Sequence, residues 1–163
     1  MDKMSLEERR YLEWGLTTAE KIKNKIFENY SDNRVTIKNM LDAEKLVACG
    51  YALGKILTGD EVRLKAFQLR EFYESLLNVK ITIKSIRGNP DEDMLFKQKA
   101  LPEIVMLKPR LALAKARQPR KITPLFEVIN PLLDRVEDID DYERLCQFMQ
   151  AIMAYNSPQG QEA

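Results

Sequence analysis

Between Lys97 and Lys121 the chain reads KQKALPEIVMLKPRLALAKARQPRK, with eight Lys or Arg against one acid, Glu103, a local charge of +7. Cationic side chains at this density draw in polyanions, whatever the net charge of the whole chain. The cations are interleaved with Leu, Ala, Ile and Val at helical spacing, which a solvated basic tail does not show. At about 100° per residue, Arg110 and Arg117 align with each other, roughly a third of a turn from a stripe of Ile104, Leu107 and Leu111. Lys108 and Lys115 also align with each other, but nearer that stripe. Either Pro109 shifts the phase, or their stems lie along the core edge while the ammonium groups reach outward. The first pair is the better placed to meet a ligand. Arg120 and Lys121 close the stretch.

Other chemistry is thinly represented. The chain has no His and two Cys. The commonest general base is therefore missing, and with it the Ser-His and Cys-His nucleophile pairs and most zinc sites. Neither a P-loop nor a G-x-G-x-x-G pattern is present. Cys49 and Cys146 lie far apart in apolar, helical surroundings and read as buried structural thiols. Nothing points to an enzyme, a cofactor or a metal.

The remaining segments balance the basic stretch. Residues 1–60 carry ten basic and ten acidic side chains, and residues 61–96 carry six and six. Residues 122–163 carry two basic and eight acidic, so a net charge of +1 hides a strongly polarised chain.

The elements that position the cations read as helices. At 163 residues with only six Gly, and with little strand-like alternation, the composition favours an all-α fold. The expectation is a single compact helical bundle of about five to seven helices over residues 1–156, with residues 157–163 a disordered tail. No apolar run approaches the roughly 20 residues needed to span a bilayer. The N-terminus MDKMSLEERR lacks the apolar region of a signal peptide, so the expected location is cytoplasmic, without membrane contact.

In chain order, Ser5 and Glu8 form a capping pattern for a short helix ending at Gly15, and Thr17 with Glu20 repeats it for a helix to Tyr30. Ser31 to Arg34 reads as a loop. Ile37 to Leu57 reads as one helix. Gly50 and Gly54 weaken it by about 1 kcal/mol each relative to Ala, and their spacing suits a close helix crossing. Glu61 to Arg87 reads as the longest helix. Its Val79–Ile86 portion alternates like a strand, but an isolated strand would have no partner here. Gly88-Asn89-Pro90 is a stop. Asp91 to Lys99 starts another helix, and Pro102 suits the first position of a helix to Arg117, which Pro109 would bend. Thr123-Pro124 restarts the chain as a cap followed by Pro, with Pro131 a further kink point. Tyr142 to Tyr155 carries too many apolar positions for an exposed helix and reads as core.

Three pieces together resemble the small helical subunit of type III-A CRISPR effector complexes, the Csm complex. Gln68-Leu69-Arg70-Glu71-Phe72-Tyr73 is similar to that family's Q-L-R-x-F-Y. Leu107-Lys108-Pro109-Arg110-Leu111-Ala112, continuing through Ala114, Ala116 and Arg117, is similar to its L-K-P-K-L-A-Y followed by small residues and an Arg. Phe148 to Tyr155 is similar to its closing F-x-E-A-x-x-A-Y. Order and spacing match across residues 62–156. Arg110 stands where Lys is common, Leu113 where an aromatic is common, and Gln150 where an acid is usual.

The resemblance implies a non-catalytic subunit, present in several copies, that lines the groove holding guide RNA paired with target RNA. Cleavage of the target would belong to a neighbouring backbone subunit. The residues fit this independently, because Lys and Arg contacts to a duplex backbone give affinity without sequence preference. Guide pairing would supply the sequence. The RNA-binding candidates are Lys65, Arg70, Lys108, Arg110, Lys115, Arg117, Arg120 and Lys121. For Arg70 an ion pair with Glu74 one turn later is the competing reading. A helical adaptor whose basic face docks an acidic partner, including the acidic C-terminal part of another copy, is the second reading of the whole chain.

Overall fold

Local capping chemistry sets the helix starts. The computed structural model describes residues 3–28 and 35–156. Helix α1 (Leu6–Trp14) begins where Ser5 Oγ accepts from the Glu8 N–H at 3.2 Å, and it ends at Gly15, whose φ of +62° favours a residue without Cβ. Helix α2 (Ala19–Phe27) is capped by Thr18, which accepts from the Lys21 N–H at 3.2 Å. The cap is thus one residue later than the Thr17 expected, and Thr17 Oγ1 instead accepts from Lys21 Nζ at 3.2 Å. The expected end at Tyr30, the loop at residues 31–34 and the tail at 157–163 lie outside the described residues.

Four expected helices are subdivided. Asp42 breaks the first, because its carboxylate accepts from the Lys45 N–H at 2.9 Å and caps a new start. Short α3 (Ile37–Met40) therefore precedes α4 (Ala43–Thr58). The second begins at Ala66 instead of Glu61. Residues ahead of it form a turn in which Arg63 has φ +52°. It continues as α5 (Ala66–Leu77), then Asn78, then α6 (Val79–Ile86). In α6 Val79, Ile83 and Ile86 are buried, a helical spacing hidden inside the strand-like alternation.

The third and fourth, expected over Asp91–Lys99 and Pro102–Arg117, carry the basic stretch. They run as α7 (Glu92–Leu95), a π-helical turn (Phe96–Ala100), α8 (Leu101–Val105) and α9 (Leu107–Arg117). Each interruption lies just upstream of a proline. The ring of Pro102 crowds the carbonyl of Gln98, which sits inside the wide π turn. Pro109 is not an interior proline: with the break at Met106 it falls in the first turn of α9, where its missing N–H needs no partner.

Helix α10 (Pro119–Leu133) starts earlier than expected. Pro119 takes the first position, after Gln118 leaves helical geometry at φ −136°, ψ 66°. Thr123 is therefore not a cap, and the helix runs on through Pro124 and Pro131. Helix α11 (Ile139–Tyr155) also starts before the expected Tyr142, because Asp138 accepts from the Asp141 N–H at 2.8 Å.

The described residues contain no strand, and the fold is all-α. Helices α4 and α11 form the closest crossing. A Cβ on Gly50 would lie 2.7 Å from Ala151 Cβ, and one on Gly54 would lie 2.7 Å from the Tyr155 carbonyl carbon. Helix α1 lies on α4, and α2 lies against α10. The buried apolar side chains form one connected cluster, in which Tyr142 donates to the Leu76 carbonyl at 2.6 Å. Buried Asp141 accepts from the Glu137 N–H at 3.0 Å, while desolvation still holds its carboxyl above the usual range. Cys49 and Cys146 are buried free thiols, and burial pushes Cys49 up to about 12. No helix of the described residues is long and apolar enough to cross a membrane.

Candidate nucleic-acid interface

The π turn, α8 and α9 spread the basic stretch over two places. Lys97 and Lys99 lie exposed on the π turn, on the far side of the Met106 break from Arg117. The remaining cations gather on α9 and on the corner where it meets α10.

At that corner Arg117 ends α9, and Arg120 and Lys121 occupy the first turn of α10. Gln118 between them accepts from Gln68 Nε2 at 2.7 Å. Gln68 in turn accepts from the backbone N–H of Lys65, the N-cap residue of α5, at 3.3 Å. This chain of contacts brings the start of α5 to the start of α10. Lys65, Arg117, Arg120 and Lys121 thus converge from three elements. Among the described residues none of the four side chains has a hydrogen bond or ion pair, and all but the half-buried Lys121 are exposed.

Two helix starts and one helix end meet at this corner. Helix N-termini carry partial positive charge and normally recruit acids. Neither α5 nor α10 has an acid in its first turn, and each has cations there or at the cap. The C-terminal end of α9 complements Arg117 in its last turn, whereas Lys65, Arg120 and Lys121 stand at positive helix ends, where an anion would relieve the repulsion.

Arg110 lies two turns back along α9 from Arg117, on the same face. It is exposed and donates to Ser75 Oγ of α5 at 3.3 Å. Lys108 and Lys115 belong to the other side of α9. Lys108 is paired with Asp134, and Lys115 Nζ lies 4.3 Å from the centroid of the Phe126 ring. Their half-buried stems match the closer approach to the apolar stripe expected from their phase. Arg70 sits apart. On α5 the residues bordering the groove toward α9 are Gln68, Glu71, Phe72 and Ser75, and Arg70 does not line it. It forms no ion pair with Glu74 among the described residues.

The tertiary structure adds residues that no local pattern singles out. Gln118 and Ser75 tie the corner together only through contacts distant in the chain. Lys23 of α2 shares a cleft with Lys115, beside Glu20 and Glu127. Far along the α5–α6 path, Glu92, Asp93, Asp138 and Asp140 gather around Arg87, which pairs with Glu143. The molecule thus carries an acidic corner as well as a basic one. No group of His, Cys, Asp and Glu among the described residues is arranged to hold a metal.

Comparison with known proteins adds one finding. A family model described as Csm2 Type III-A matches residues 40–162, which is most of the chain and contains α4 to α11. No curated protein and no solved structure matches.

Proposed function

The chain belongs to the Csm2 type III-A family, small subunits of type III-A CRISPR complexes, and on that premise we propose that it is a non-catalytic RNA-binding subunit. In this reading it works in the cytoplasm, in antiviral defence. Several copies line the groove that holds guide RNA paired with target RNA, beside the subunit that cuts the target. The observation that carries the reading is the basic corner. Lys65, Arg117, Arg120 and Lys121 have no partner among the described residues, and they gather where α9 ends and where α5 and α10 start without an acid in the first turn. Such a surface suits regular phosphates and has no means of reading bases in a duplex. Arg110 and Arg117 extend it along α9, and Lys108, Lys115 and Arg70 are the weaker contributors. Filter binding of the purified protein to duplex RNAs of unrelated sequence tests this. Affinities within a few-fold of one another, falling steeply with salt, are expected, and salt-independent or sequence-dependent binding contradicts it.

A second reading draws on the acidic corner around Arg87. There the basic corner of one copy docks the acidic corner of the next. Sedimentation at low and high salt separates the two, because only this reading makes assembly without RNA salt-sensitive.

A further inference from the structure

Between α5 and the α9–α10 corner lies an open groove of about 240 Å³. Its wall is apolar, from Phe72, Leu111 and Ile122, and its rim is polar, from Gln68, Glu71 and Arg110. The volume falls below the roughly 300–1,000 Å³ of pockets that enclose drug-sized molecules, and suits one flat ring system. Cations flank it: Arg110 and Arg117 along the α9 rim, and Lys65 one turn from Gln68. An apolar protein side chain would have no use for those charges. A ligand that is apolar in the middle and anionic on both flanks would use all of them. A nucleotide held by its neighbours' phosphates has that form.

We infer that this groove receives one unpaired nucleobase of the bound RNA, an inference that rests on the RNA-binding reading above. The base lies against the apolar wall beside Phe72, as unpaired bases do on aromatic surfaces. Arg110 and Arg117 hold the adjoining phosphates. The Glu71 side chain, exposed and without a partner among the described residues, can only accept hydrogen bonds. It therefore favours a base edge that offers hydrogen-bond donors, such as an exocyclic amine.

The test compares two RNA duplexes of equal length, one fully paired and one with a single bulged 2-aminopurine, which bears such an amine. The bulged duplex should bind about tenfold more tightly, toward the low end of what stacking one base contributes. Its fluorescence should fall on binding. Ala114→Met fills the groove and keeps every cation, so it should remove the advantage and leave the paired duplex bound as before. Should that variant melt early, Phe72→Leu keeps an apolar side chain and loses the aromatic face, and it should cut the advantage several-fold. Equal binding of the two duplexes with unchanged fluorescence overturns the inference and leaves RNA binding standing. An advantage that survives both variants also overturns it. Equal binding combined with failure of Ala114→Met to assemble with the other subunits assigns the groove to a protein side chain. Failure to bind either duplex overturns the RNA-binding reading, and this inference with it.

Discussion

Lys108 and Arg110 are two residues apart on α9 and meet different surroundings. Lys108 is paired with Asp134 beside α10, whereas Arg110 reaches across to Ser75 at the edge of an open groove. Residues of like charge therefore differ in what they can offer an incoming phosphate. Arg117→Ala should weaken binding to duplex RNA of any sequence by a similar factor. It should also flatten the plot of log affinity against log salt by roughly 0.7–0.9. Lys108→Ala should flatten the slope less, because Lys108 is held by Asp134 on the other side of α9 and has no phosphate contact to lose. Binding titrations at three salt concentrations, with thermal melts as the fold check, separate the two. The thiols give a second residue-scale expectation. Desolvation holds Cys49 at about 12 against an ordinary 9, so at pH 8 it stays protonated and inert. An aromatic disulfide reagent should label Cys49 and Cys146 only after denaturation. The sign of the linkage follows. Above pH 9 the unfolded chain releases a proton that the folded chain retains, so stability falls as pH rises from about 9 toward 12. Prompt labelling of native protein would contradict this.

At the scale of elements, the α4–α11 crossing carries the clearest expectation. Gly54 meets the backbone of Tyr155, which cannot rotate away as a side chain can. Gly54→Ala gains about 1 kcal/mol in helix propensity but forces the helices apart, an overpacking cost of about 1–3 kcal/mol. The net effect should be destabilisation of up to about 2 kcal/mol, read as a lower urea midpoint with the slope unchanged. Stabilisation would show that the crossing is slack. This crossing was legible in the sequence because glycines spaced four apart share one helix face. The helical content of α6 was legible too, from the absence of any partner strand. The boundaries were less so. Asp42, Asp138 and Thr18 each cap a helix through a side-chain hydrogen bond, but Thr17 stands beside Thr18, Asp140 and Asp141 follow Asp138, and Asp42 lies within a run that otherwise reads as one helix. Thr123-Pro124 carried the local signature of a start, yet Pro119 and the turn at Gln118 formed the start first. The phase of Lys108 and Lys115 was legible at 100° per residue. The position of Arg70 was not, because only the packing of α5 against α9 says which side of α5 borders the groove.

Over the whole molecule, the basic and acidic corners lie at different places on one connected core. That core joins α1 and α2, ahead of the family match, to the helices within it, and supports the proposal that residues 1–156 form one domain. Limited proteolysis that released residues 1–39 as a folded unit would count against it. The basic corner is a property of this whole arrangement, since its cations come from α5, α9 and α10 and are joined through Gln68 and Gln118. The most direct test of the central claim is the salt dependence of binding to a duplex RNA of arbitrary sequence. Five phosphate contacts, from Lys65, Arg110, Arg117, Arg120 and Lys121, predict that log affinity falls against log salt with a slope of about −3.5 to −4.5. A slope near zero, or an affinity that depends on duplex sequence at constant salt, would contradict the account.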